Sequence, residues 1–128
     1  MSYYFARTLD AGFEDAVART RAALQQQGFG VITEIDVRAT LKAKLGEAFR
    51  PYLILGACNP AMAFEALKLE DKAGTMLPCN VVVQELAPGR VEIAAIDPVA
   101  SMRAIDNPRL LETAKAVGEK LKAAVDAI

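Results

Sequence analysis

The chain has no histidine among its 128 residues. That absence removes every nucleophile–base pair built on imidazole, Ser-His and Cys-His alike, and every metal site that needs a histidine ligand. Cysteine is scarce too: two residues, which do not make a disulfide framework. Neither sign of charge is in excess. The 15 Lys and Arg against 16 Asp and Glu give a formal net charge of −1, so no global field favours a polyanion. The basic residues are interleaved with acidic ones, the pattern of a solvated surface and not of a nucleic-acid footprint. Long hydrophobic runs are missing as well. The longest, "YLILGAC" at 52–58, is far short of the ~20 residues a membrane-spanning helix needs. The opening "MSYYFARTLD" has no basic segment followed by an apolar one, which predicts no secretory signal and a cytoplasmic location where thiols stay reduced. Neither nucleic acid nor membrane is expected as a partner.

What is present is apolar: 53% of the residues, enough for the core of one domain spanning 1–128. "YYFART" (3–8) reads as a strand. Phe13, Ala16, Val17, Ala23 and Leu24 follow at helical spacing, ended by Gly28 and Gly30. "VITEIDV" (31–37) alternates, with Val31, Thr33, Ile35 and Val37 on one side. "ATLKAKLG" (39–46) is a short helix, and "PYLILGA" (51–57) is a buried strand that a proline opens. "NPAMAFEALKLED" then starts as a helix on an Asn59 cap with Pro60 in the first turn, and Pro60, Phe64 and Leu67 share a face. "AGTML" (73–77) reads as loop. Strands 79–86 and 90–97 form a hairpin on Ala87-Pro88-Gly89-Arg90, whose Pro and Gly suit a type II turn. After a further loop, Asn107-Pro108 opens a last helix with a stripe from Leu110 to Ile128. Gly28-Phe29-Gly30 precedes a strand and is no dinucleotide fingerprint, and no other cofactor motif is found.

This order predicts an α+β fold: a two-layer sandwich with a mainly antiparallel sheet of about five strands, covered on one face by the first and last helices, with two extra short helices. If strands 51–57 and 79–86 are antiparallel neighbours, the end of one lies beside the start of the other. Cys58 and Cys79 then converge on one rim of the sheet, with Asp97 arriving at the same edge from the hairpin's outer strand and Asn59, Asn80, Pro60 and Pro78 around them. A helix start beside Cys58 favours a thiolate; packing as small buried hydrophobes is the plain alternative for both cysteines.

The strings "LILGACNPAMAF", "LPCN" and "IDP", in this order, are similar to the family catalogued as domain of unknown function 302 (DUF 302). The matching positions are Cys58, Asn59, Pro60, Pro78, Cys79, Asp97 and Pro98. The resemblance implies a curved sheet with a β-α-β(4)-α core, like that of TATA-box-binding proteins, and association into dimers. It implies no activity, and the fold alone does not bring DNA binding.

The leading expectation is a non-catalytic domain that binds a small ligand or partner at the Cys58/Cys79/Asp97 rim, with Asn59, Pro60 and Pro78 as further candidate ligand contacts. A second expectation is a thiol enzyme or redox sensor with Cys58 as nucleophile and Cys79 as resolving thiol. A third is a soft-metal site for Cu(I) or Zn built from the two thiols with Met62, Met76 or Met102. The long final stripe and the sheet edges, which need cover, predict a homodimer.

Overall fold

The computed structural model describes residues 2–128. Five strands, β1 (Tyr4–Asp10), β2 (Gly30–Asp36), β3 (Tyr52–Cys58), β4 (Cys79–Ala87) and β5 (Arg90–Ile96), form one sheet in the order β1-β5-β4-β3-β2. Every neighbouring pair is antiparallel. The helices are α1 (Phe13–Gln26), α2 (Val37–Leu45), α3 (Pro60–Leu69), α4 (Pro98–Met102) and α5 (Pro108–Asp126), with a 3-10 segment at Asp71–Met76. The α+β class, the meander from β2 to β5 and the cover of one face by α1 and α5 are as the residue pattern predicts. None of the helices among the described residues is long and apolar enough to cross a membrane.

Alternation along the strands decides which face is core. Leu53, Leu55 and Ala57 of β3, Val81 and Val83 of β4, and Val91, Ile93 and Ala95 of β5 point to the helices and are buried. They meet Ala16, Leu24, Leu121, Ala124 and Val125 of α1 and α5 in one cluster. A fully buried Leu, Ile or Val contributes about 1.5–3 kcal/mol, so this cluster carries most of the fold's stability. A second, smaller cluster joins Ala66, Ala73, Met102, Leu110 and Ala114, tying α3, the 3-10 segment and α4 to the first half of α5.

Local chemistry sets the boundaries. α1 stops in a Schellman arrangement: the Gly28 amide, at φ +84°, donates to Gln25 and the Phe29 amide to Leu24, which turns Phe29 into the core. Asn59, Asp97 and Asn107 each cap a helix whose first turn holds a proline, accepting from Met62, Val99 and both Arg109 and Leu110 respectively. In the hairpin, Gly89 takes φ +77°, the left-handed value that the third position of a type II turn requires.

Four expectations are corrected. The regular alternation of 31–37 is broken by a bulge between Val31 and Thr33, so Thr33 and Ile35 lie on the opposite face from Val31. Val37, expected in the strand, is instead the first residue of α2: Asp36 ends β2 and caps the helix by accepting from the Ala39 amide at 2.9 Å. β5 is not an outer strand: β1 lies beyond it, along its whole length. Segments 71–76 and 98–102 are helical turns where loop was expected, started by Glu70 and Asp97 side chains that accept from Lys72 and Val99 amides.

Candidate functional site

β3 and β4 run antiparallel with Ala57 opposite Cys79, so Cys58 and Cys79 stand at the same end of the sheet. Above them lies an apolar cavity of about 290 Å³. Its floor is Cys58, Cys79 and Phe29; its walls are Met62, Ala63, Ala66 and Leu67 of α3 on one side and Leu110, Thr113, Ala114 and Val117 of α5 on the other. Leu77 and Pro78 close one end, with Pro98 and Met102 of α4. The cavity therefore lies where the two hydrophobic clusters meet and fail to fill the space between them.

The gap follows from the sequence of α3. The face that packs inward is Met62, Ala66 and Leu69, spaced four and three apart, and its central residue is an alanine. Phe64 and Leu67, expected on a packed face with Pro60, remain exposed, Phe64 at 62%. Across the cavity α5 offers Ala114 as its opposing small residue. With only a methyl group from each wall at this level, the volume between the helices stays unfilled. The amide of Asn107 secures the arrangement by donating from Nδ2 to the Leu69 carbonyl at 3.1 Å, which pins the start of α5 to the end of α3.

No Asp, Glu, Lys or Arg lines the cavity. Its polar groups are the Asn59 amide, the Thr113 hydroxyl and the two thiols. Asn59 Oδ1 is engaged as the α3 cap, accepting from the Met62 amide at 3.3 Å, and the Thr113 hydroxyl donates to the Arg109 carbonyl at 3.3 Å. Among the described residues no buried side-chain nitrogen or oxygen lacks a partner. The site thus presents no orphaned polar group for a charged ligand to satisfy. Burial pushes the Cys79 thiol up to about 11, with neighbouring Cys58 adding to the effect. At neutral pH Cys79 is a protonated, uncharged group.

Of the six candidate residues read from the sequence, Cys58, Asn59, Pro78 and Cys79 line the cavity, whereas Pro60 and Asp97 do not. Pro60 lies exposed on the outside of α3. The Asp97 carboxylate turns back to the start of its own helix, accepting from the Val99 amide at 3.0 Å. Pro98 beside it is the residue that reaches the cavity. Met62 and Met102 add two thioethers to the two thiols on the lining, while Met76 is not among the lining residues. The described residues hold no group of three or more His, Cys, Asp or Glu suited to a metal ion. Phe29, Leu77 and the α5 wall were not foreseen. The Asp97-Pro98 pair, of the same form as Asn59-Pro60, was the available signal for a helix closing this end.

The chain matches the family described as "Domain of unknown function DUF302" over residues 5–128. It is also similar to the solved structure described as an uncharacterised conserved DUF302 protein from Bacillus stearothermophilus, with 29% identity and a TM-score of 0.91. That alignment covers 99% of this chain and 98% of the other. Comparison with curated proteins finds no match. With a family match that spans nearly its whole length, the chain belongs to the DUF302 family.

Proposed function

We propose that this DUF302 domain binds a small, uncharged, predominantly apolar molecule in the cavity between α3, α5 and the β3/β4 rim. The observation that carries the reading is a cavity of about 290 Å³ with no charged side chain on its lining. A cavity of ~150 Å³ lined by apolar side chains already takes up benzene, so this one has room for a bicyclic aromatic or a short branched hydrocarbon. Ile32 and Leu67, which border it, are 62% and 43% exposed and give the cavity an apolar mouth. The Asn59 amide and the thiols supply the few polar contacts that orient a ligand in such sites. In the reducing cytoplasm both cysteines stay as thiols.

Fluorescence titration with N-phenyl-1-naphthylamine, an uncharged probe that brightens in apolar surroundings, tests the reading. Saturable one-site binding is expected for the native chain, with at least a tenfold loss in Ala63→Phe, whose ring fills the cavity. Equal binding by the variant and the native chain would overturn it.

The four sulfur atoms on the lining favour a second reading, a soft cation such as Cu(I). Anaerobic Cu(I) that blocks maleimide labelling of Cys58 would support it over the first. The thiol-enzyme reading has less support: a Cys79 thiol pushed up to about 11 and no imidazole in the chain leave no means of generating a second thiolate.

A further inference from the structure

The face of the sheet opposite α1 and α5 holds a groove of about 370 Å³ over β4 and β5. The register orders its lining. Tyr52 stands beside Gln84 and Gln84 beside Glu92 at one end; Val82 and Ala94 form the middle; Ile96 pairs with Tyr4 at the other end. Glu92 and Ile96 are four residues apart on β5, about 13 Å along a strand. Three tyrosines border the groove, Tyr52 at the first end and Tyr3 and Tyr4 at the second. The last two are in edge-to-face contact, with 5.0 Å between ring centroids. Glu92 is the one charged residue on the lining. Its carboxylate is positioned from outside the groove: exposed Arg50 donates from Nε to Gln84 Oε1 at 2.9 Å, and Gln84 Nε2 donates to Glu92 Oε1 at 3.1 Å. Among the described residues no Lys or Arg forms a salt bridge with Glu92.

We infer that this groove binds an arylalkyl ammonium, a small organic cation whose amine is joined to an aromatic ring. Any ligand that settles over β4 and β5 takes water from the Glu92 carboxylate, and a cationic donor is what offsets that loss. A neutral ligand leaves the charge desolvated and unpaired, and an anion adds repulsion. Val82 and Ala94 in turn offer nothing to a hydrated inorganic cation and suit an apolar body. The tyrosines suit both parts of one molecule, the ring by edge-to-face contact and the ammonium by attraction to a π face. Arg50 makes the second kind of contact within the chain, its guanidinium 5.7 Å from the Tyr52 centroid. The span of the groove matches an arylethylammonium with a hydrogen bond at one end and a ring contact at the other. The site is independent of the cavity between α3 and α5, which lies across the sheet and has no charged side chain to pair with an ammonium.

The chain has no tryptophan, so the fluorescence anisotropy of tryptamine, excited beyond the absorption of tyrosine, reads binding directly. Saturable one-site binding is expected at neutral pH, weakening as salt is raised. Glu92→Gln, which keeps the shape and removes the charge, is expected to bind at least ~10-fold more weakly. Indole-3-acetate, the same ring on a carboxylate, is expected not to bind. Amide NMR of the native chain gives a readout that needs no variant: tryptamine is expected to shift Val82, Glu92 and Ala94 and to leave Ala66 and Ala114 of the helix-side cavity unmoved. Native affinity in Glu92→Gln overturns the inference, as does indole-3-acetate bound as tightly as tryptamine, or an amide response confined to Ala66 and Ala114. A native chain that does not bind tryptamine at millimolar concentration overturns it too, whatever the cavity does with an uncharged probe.

Discussion

At the scale of single residues, Cys79 has the chemistry most altered by the fold. Its thiol sits near 9 in the unfolded chain and at about 11 in the folded one. The stability tied to the neutral thiol is fully present below pH 9 and is lost as pH rises to about 11, because only the unfolded chain gives up the proton in that window. A shift of this size corresponds to about 2–3 kcal/mol. Urea unfolding of the native chain and of Cys79→Ala across pH 8–11.5 checks it: the native chain is expected to lose that much more than the variant. The same burial predicts that Cys58 reacts with a maleimide before Cys79 in the folded protein. Asn59 lies on the same rim, and Asn59→Ala is expected to cost about 1 kcal/mol in thermal or urea unfolding, the usual loss for an N-cap. Both residues were legible in the sequence, Asn59 as a cap and Cys79 as the first residue of its strand. Asp97 was placed at the correct end of β5, but its capping of a helix of five residues was not read, because so short a segment has no periodicity to reveal it.

At the scale of elements, two glycines make opposite predictions. A Cβ on Gly56 of β3 would collide with the Thr33 side chain on β2 and stand 2.7 Å from Pro78 Cγ. Gly56→Ala is therefore expected to destabilise by about 1–3 kcal/mol, as overpacking does. On Gly118, inside α5, the nearest atom to an added Cβ is Pro98 Cδ at 3.4 Å, an ordinary contact. Gly118→Ala is expected to stabilise by about 0.5–1 kcal/mol, the helix-propensity difference between the two residues. Melting curves of the two variants in one buffer decide both signs. Long periodic elements and the β4–β5 hairpin were readable from spacing and turn chemistry. The bulge at Ile32 was not, since a bulge answers to the register of the partner strand, which local sequence does not carry. The inward face of α3 was misread because the larger side chains, Phe64 and Leu67, were assumed to pack. The helix instead turns Ala66 inward, and that choice leaves the space the cavity occupies.

At the scale of the whole molecule, one sheet separates a face covered by α1 and α5 from a face without helices. On the helix side the two clusters leave an uncharged cavity between them. The α+β architecture and the meeting of Cys58 with Cys79 at one rim followed from strand order alone. The cavity did not, because an unfilled volume depends on how two helices approach each other and not on any motif. The central claim, uptake of an uncharged apolar ligand there, is tested most directly by methyl NMR of the methionines during titration with indole. Met62 and Met102 line the cavity and Met76 does not. Saturable shifts of the Met62 and Met102 methyls, with a much smaller change at Met76, are the predicted result. Unchanged Met62 and Met102 signals at indole concentrations near its solubility limit would contradict the account.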